Sequence, residues 1–70
     1  MVNINTANEW FENLSFKEME RITNIYLLDY IFAYDDEVLA DEMFIDACET
    51  WWNNHTDEGK VAICRSWYYD

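Results

Sequence analysis

The chain has 70 residues, of which 51% are hydrophobic and 19% aromatic, and its 15 acidic residues against four basic ones give a formal net charge of -11. This length allows one small domain, residues 1–70, and the aromatic rings supply enough apolar surface to exclude a disordered acidic chain. The charge excludes direct contact with nucleic acid or an anionic membrane, because such contacts need Lys or Arg. We therefore expect one folded domain with a basic partner.

Helix caps divide the chain. The sequence has one glycine and no proline, so the residues that form hairpins are scarce and an all-α fold is favoured. Capping-box patterns occur at Thr6–Glu9 and Ser15–Glu18, and Asp35 or Asp36 and then Thr56 can cap two further helices. The caps predict a short first helix and three longer ones, over about 7–13, 16–33, 37–53 and 57–68. Their short connections predict a compact bundle of about four helices.

The second predicted helix contains an apolar segment with one carboxylate. From Tyr26 to Tyr34 it is apolar on almost every side, except at Asp29. This composition is typical of a central helix that neighbouring helices cover. A carboxylate buried there would need a cation or would take up a proton. We expect Asp29 to lie on one exposed strip or to pair with Lys60 or Arg65, and a functional carboxylate is the alternative.

The third predicted helix has three distinct sides, given a step of about 100° per residue. The core side is predicted to contain Ala40, Phe44, Ala47, Cys48 and Trp51, with Leu39 and Met43 beside them. The opposite side carries the acidic ridge, which we define as Glu42, Asp46 and Glu49. One flank of the ridge consists of Val38, Ile45 and Trp52. We expect this flank either to be buried under the first or fourth helix, or to form an exposed edge with an aromatic anchor.

The sequence offers no convergent set of residues for catalysis or metal binding. It contains one histidine, His55, and a lone histidine cannot form a histidine-rich zinc site. Cys48 and Cys64 lack C-x-x-C spacing, so we expect two reduced core thiols, with a bridge between them as the alternative. We therefore predict a protein that is not an enzyme, with no catalytic residue, metal or cofactor.

The N-terminal residues and the hydropathy carry no export or membrane signal. The chain starts without the basic and apolar regions of a signal peptide, and no window is apolar over the length of a membrane span. We therefore expect a cytoplasmic protein without membrane contact.

A run of acids without any cation lies in the middle of the chain. Between Arg21 and Lys60 there is no basic residue, while ten acids occur there. Charges of one sign repel each other, and solubility needs a smaller net charge. We predict that the acids at the centre of the run bind a basic protein surface: Asp35, Asp36, Glu37, Asp41, Glu42, Asp46 and Glu49. Apolar anchors are expected from Trp52, Ile45 or Tyr34, and an ordinary solvated acidic surface is the alternative.

A small acidic chain that is rich in aromatic residues, poor in glycine and free of catalytic motifs resembles a class of inhibitors. These are the phage- or mobile-element-encoded inhibitors of host defence, such as anti-CRISPR and anti-restriction proteins. The resemblance is one of character across the whole chain. It implies a non-enzymatic DNA mimic that occupies a nucleic-acid-binding surface in the host cytoplasm. The alternative is a small helical interaction or assembly module, such as a homodimer, that uses an apolar flank while the acids provide solubility.

Overall fold

The chain is all-helical over residues 2–68, the range that the computed structural model describes. Five helices form there: α1 (Ile4–Glu12), α2 (Phe16–Thr23), α3 (Leu27–Ala33), α4 (Glu37–Asn53) and α5 (Asp57–Tyr68). The predicted all-α class is confirmed, and the prediction of about four helices is close. No helix in the described range combines the length and apolar character that a membrane crossing needs.

The fifth helix arises because the predicted helix over 16–33 is interrupted at Asn24. This residue ends α2 in the left-handed conformation, with φ 64° and ψ 21°, while its N–H donates to the carbonyl of Glu20. Asn adopts this conformation more readily than other residues with a Cβ, which makes it a common helix C-cap. The prediction of one continuous helix was therefore wrong, because the apolar pattern continues on both sides of the interruption while the backbone does not.

Side chains of α2 satisfy the amide groups that the interruption releases. The Thr23 hydroxyl donates to the carbonyl of Met19 at 2.6 Å and accepts from the N–H of Ile25 at 3.1 Å. The Glu20 carboxylate accepts from the N–H of Leu27 at 2.9 Å. Because buried amide groups need partners, these bonds fix the direction in which the chain enters α3.

Three of the predicted caps are present. Ser15 and Glu18 form the capping box: the Ser15 hydroxyl accepts from the Glu18 N–H at 3.3 Å, and the Glu18 carboxylate accepts from the Ser15 N–H at 3.2 Å. Asp36 accepts from two amides of the first turn of α4 at 2.9 and 3.3 Å. Thr56 accepts from the amide three residues later at 3.1 Å. Consequently, α4 and α5 begin and end at the predicted residues.

The first helix begins at Ile4 rather than near residue 7. Asn3 is its N-cap, and the Asn3 side-chain oxygen accepts from the Thr6 N–H at 2.9 Å. The prediction that Thr6 caps this helix was wrong, because Asn3 is at least as good a cap and gains an additional turn.

The core lies among α1, α2, α5 and the C-terminal half of α4. It is formed by Ala7, Phe11, Met19, Phe44, Cys48, Trp52 and Cys64. The rings of Phe11 and Trp52 stack with centroids 4.4 Å apart and planes 9° apart. The Trp52 indole N–H donates to the side-chain oxygen of Asn8 at 2.9 Å. These contacts hold α1 against the end of α4.

The remaining helix, α3, packs beside the N-terminal half of α4 and outside the core. None of its side chains is buried, although Tyr30 contacts Phe44 edge-on at 6.3 Å. The molecule measures 43 × 21 × 16 Å, so it is elongated. The prediction that the segment from Tyr26 to Tyr34 is a central, covered helix was wrong, because the other helices pack around the opposite half of α4.

Replacement of Asn24 distinguishes a left-handed cap from a helical residue. We expect Asn24→Ala to lower the free energy of unfolding by about 1–2 kcal/mol, because alanine lacks the short polar side chain that helps Asn adopt the left-handed conformation. Asn24→Gly should leave it unchanged or raise it slightly, because glycine adopts this conformation freely. Urea unfolding measures both variants. A continuous helix would give the reverse order, with the alanine variant more stable than the glycine variant.

Candidate functional site

The acidic ridge lies on the solvent side of α4. Glu42, Asp46 and Glu49 are all exposed, whereas Phe44 and Cys48 on the other side of the helix are buried. Since an α-helix rises about 1.5 Å per residue, successive residues of the ridge are about 4.5–6 Å apart along the axis. The ridge is therefore a fixed row of charges supported by the packed face of its own helix.

No lysine or arginine neutralises these acids within residues 2–68, where no ion pair forms within 4.0 Å. Two of the cations are used elsewhere. The Arg21 guanidinium lies over the Trp67 ring, 5.9 Å from its centroid. The Lys60 ammonium lies 5.9 Å from the centroid of the Trp52 ring and donates to Asn53 at 3.5 Å. The negative field of the ridge is therefore uncompensated by the described part of the chain.

The connection between α3 and α4 adds further acids. Asp35, Asp36 and Glu37 are exposed, and Asp41 in the next turn is half-buried. Asp36 already has a structural role as the N-cap of α4. Of the predicted binding acids, Asp36 is thus explained without any partner, whereas Asp35 and Glu37 extend the charged surface from the ridge towards α3.

Trp52 belongs to the core, so the prediction that it anchors a partner was wrong. Only 4% of its surface is exposed, because Phe11 covers its ring. The other interpretation of the flank, burial under the first helix, is correct for Trp52. Val38 at the other end of the flank is 67% exposed, and Ile45 between them is half-buried. Tyr34 is half-buried as well.

A row of exposed apolar side chains on α3 was missed by the sequence reasoning. We call it the α3 stripe and define it as Leu28, Ile31 and Phe32, which are 58%, 41% and 80% exposed. Their i, i+3, i+4 spacing places them on one side of the helix. Leu27 and Tyr30, on the other side, pack against the core. Full burial of one such side chain contributes about 1.5–3 kcal/mol, so a row left in water makes the stripe a candidate interaction surface.

Acids border the α3 stripe. Asp29 is exposed, which agrees with the expectation that it lies on an exposed strip of its helix. It lies three residues before Phe32, and side chains at this spacing are neighbours on a helix surface. Asp35 and Asp36 follow directly after the C-terminal end of α3. The stripe therefore has a negative edge along its side and at its end.

The His, Cys, Asp and Glu side chains of the described residues do not form a metal-binding cluster. Among residues 2–68, no three metal-ligating side chains come together. The His55 ring packs on Trp51 with centroids 4.4 Å apart, and its Nδ1 donates to the Trp51 carbonyl at 2.8 Å. The imidazole is thus a packing and capping group between α4 and α5.

A cleft lies between α1, α2 and α5. It is lined by Trp10, Glu18, Arg21, Ile22, Ser66 and Trp67. Its two charged groups already have partners, since Glu18 completes a capping box and Arg21 lies over Trp67. Both charged side chains of the cleft are therefore engaged in contacts within the chain.

The two cysteines are free thiols, as expected, and both are buried. The Cys48 sulfur lies 3.8 Å from the Thr23 hydroxyl. Burial raises the pKa of the Cys48 thiol, and burial likewise raises the pKa of the Cys64 thiol. Because the thiolate is the reactive form of cysteine, burial and the raised pKa lower the reactivity of both thiols in the folded chain.

The raised thiol pKa values predict a loss of stability in alkali. In the unfolded chain a thiol ionises near pH 8.5, whereas in the folded chain it stays protonated to higher pH. The free energy of unfolding should therefore fall as the pH rises above about 8.5. Below that pH the two protonated thiols should contribute their full stabilisation. Urea unfolding at about pH 7 and about pH 9.5 measures the change. A Cys48→Ala/Cys64→Ala variant should lose less stability between these pH values, and an equal loss would contradict the prediction.

Comparison of the chain with protein-family models, curated proteins and solved structures found no match. No role is therefore transferred from another protein. The candidate site is defined by its own geometry: an uncompensated acidic ridge on α4 and an exposed apolar stripe on α3.

Proposed function

We propose that the protein is a non-enzymatic inhibitor that binds a basic, nucleic-acid-binding surface of a host defence complex, of the anti-CRISPR or anti-restriction type. The observation that carries the proposal is the acidic ridge, which is exposed and unpaired within residues 2–68. A rigid row of carboxylates is complementary to the Lys and Arg side chains that line a nucleic-acid groove.

The size of the charge also supports a basic partner. A net charge of magnitude about 2–8 is sufficient for the solubility of a small domain, and this chain carries -11. The excess raises the self-repulsion of the folded state, and a cationic partner would relieve it. Complementary charges also increase the rate of association by steering the two proteins together.

The acids divide into roles on this surface. Glu42, Asp46 and Glu49 form ion pairs with the partner, because they are exposed on a supported helix. Asp35 and Glu37 extend the contact towards α3. Asp36 retains its bonds to the α4 amides, so its effect on binding is indirect.

Charge reversal of the ridge tests the proposal. We expect Glu42→Lys/Asp46→Lys/Glu49→Lys to keep the fold, because all three side chains are exposed, and to weaken binding at least about tenfold. The readout is phage plating efficiency on bacteria that each carry one CRISPR effector or restriction system, with and without the protein. The effector that the protein inhibits is then purified, and its binding to nucleic acid is measured directly with and without the protein.

The matched control reverses the same number of exposed acids elsewhere. Glu9→Lys/Glu12→Lys/Glu58→Lys changes the net charge equally and leaves the ridge intact. We expect this variant to keep inhibiting. Undiminished inhibition by the ridge variant, or an equal loss in both variants, would refute a site on the ridge. A lack of protection against every system by the unmodified chain would refute the inhibitor function.

A second candidate function is a helical interaction module that binds mainly through apolar contacts. The exposed α3 stripe favours it. Salt separates the two modes, because exposed ion pairs are screened and apolar contacts are not. For a partner of the inhibitor type we expect the affinity to fall steeply between about 50 and about 500 mM NaCl. Affinity that is indifferent to salt would favour the apolar module.

A further inference from the structure

The α3 stripe is fixed in place by the rest of the molecule. Leu27 and Tyr30 attach the opposite side of α3 to the core, and the Glu20 carboxylate holds the Leu27 amide at 2.9 Å. The stripe is therefore presented on a positioned helix, and little ordering would be needed when a partner binds.

The most exposed large side chain of the stripe is suited to enter a pocket. Phe32 is 80% exposed, and Leu28 and Ile31 lie beside it in the stripe. An aromatic ring buries about 150–250 Å² when it is covered, and such anchors dominate the energetics of protein interfaces. Phe32 would thus be the centre of a contact, with Leu28 and Ile31 excluding water around it.

The charges around the stripe select the occupant. Asp29 borders Phe32, and Asp35, Asp36 and Glu37 lie at the end of α3, while no Lys or Arg occurs in the sequence from residue 22 to residue 59. In a symmetric dimer the same patch lies on both sides of the interface. Two copies joined at the stripe would therefore bring these carboxylates together without any cation between them, which disfavours a second copy.

From this complementarity we infer that the α3 stripe docks into an apolar pocket with a Lys- and Arg-rich edge on a different protein. The inference rests on the proposed function for the positive charge of the partner, and it adds an apolar contact that the acidic ridge does not provide. Phe32 and Leu28 enter the pocket, and Asp29, Asp35 and Glu37 pair with its edge. The partner therefore recognises both the apolar side chains of the stripe and the negative charges beside them.

Designed peptides test this docking site without knowledge of the natural partner. The probe is a labelled amphipathic helix of about 15 residues with leucine on one side and lysine on the other. Two reference peptides replace leucine by serine or lysine by glutamate. We expect the unmodified protein to bind the Leu/Lys peptide, to bind the Ser/Lys peptide at least about tenfold more weakly, and not to bind the Leu/Glu peptide, as measured by fluorescence anisotropy.

Variants of the stripe locate the contact. Leu28→Asn/Phe32→Asn should weaken binding of the Leu/Lys peptide by about 30-fold, and thermal unfolding should show that the exposed positions do not affect the fold. Leu28→Met/Phe32→Leu keeps the apolar surface and should keep the affinity. Equal binding of the Leu/Lys and Ser/Lys peptides, or a polar variant that binds as well as the unmodified protein, would overturn the inference. So would a lack of binding to the Leu/Lys peptide.

Sedimentation measures the competing occupant. We expect a monomer at about 50 and at about 500 mM NaCl. A dimer that forms in high salt and dissociates in the Leu28→Asn/Phe32→Asn variant would show that the stripe binds a second copy, and the inference would fall. The two proposals fail separately. If the unmodified protein protects phage against none of the defence systems but binds the Leu/Lys peptide through the stripe, only the inhibitor function is refuted. Ridge-dependent protection that survives the polar stripe variant would refute only the docking site.

Discussion

The stacking of Phe11 on Trp52 is the contact on which the arrangement of the other helices depends. It places α1 against the last turns of α4, and α5 then packs on α1, so the core forms around the C-terminal half of the longest helix. A chain of 70 residues is too short to cover both halves of α4 with packed helices. The N-terminal half of α4 is left to the short helix α3, whose outer side faces water.

Helix caps and apolar periodicity predicted α4 and α5 correctly but predicted the first three helices less well. α4 and α5 were predicted over their full lengths because Asp36 and Thr56 are strong caps and α4 has one apolar side. The interruption at Asn24 was missed because a left-handed residue leaves the apolar periodicity unbroken. Trp52 was predicted to anchor a partner from the flank of the ridge, although it continues the four-residue spacing of the buried residues Phe44 and Cys48.

The two parts of the candidate site differ in how far the sequence determines them. The exposure of Glu42, Asp46 and Glu49 follows from helix geometry within α4 alone. The exposure of Leu28 and Phe32 depends on where the other helices pack, and no pattern within the segment encodes that. The apolar composition of α3 therefore led to the wrong prediction that this helix is buried. The high charge nearby also acts on this surface, since like charges oppose contact between copies.

The distribution of the chromophores separates the two ends of the molecule optically. The tryptophans lie in α1, in the last turns of α4 and in α5, whereas α3 and its flanking residues carry Tyr26, Tyr30 and Tyr34. Indole emission thus reports on the packed end, and phenol absorbance reports mainly on the end formed by α3. Small helical proteins can open in parts of different stability. In this protein, local opening of α3 would be visible in one spectral band while the other stays constant.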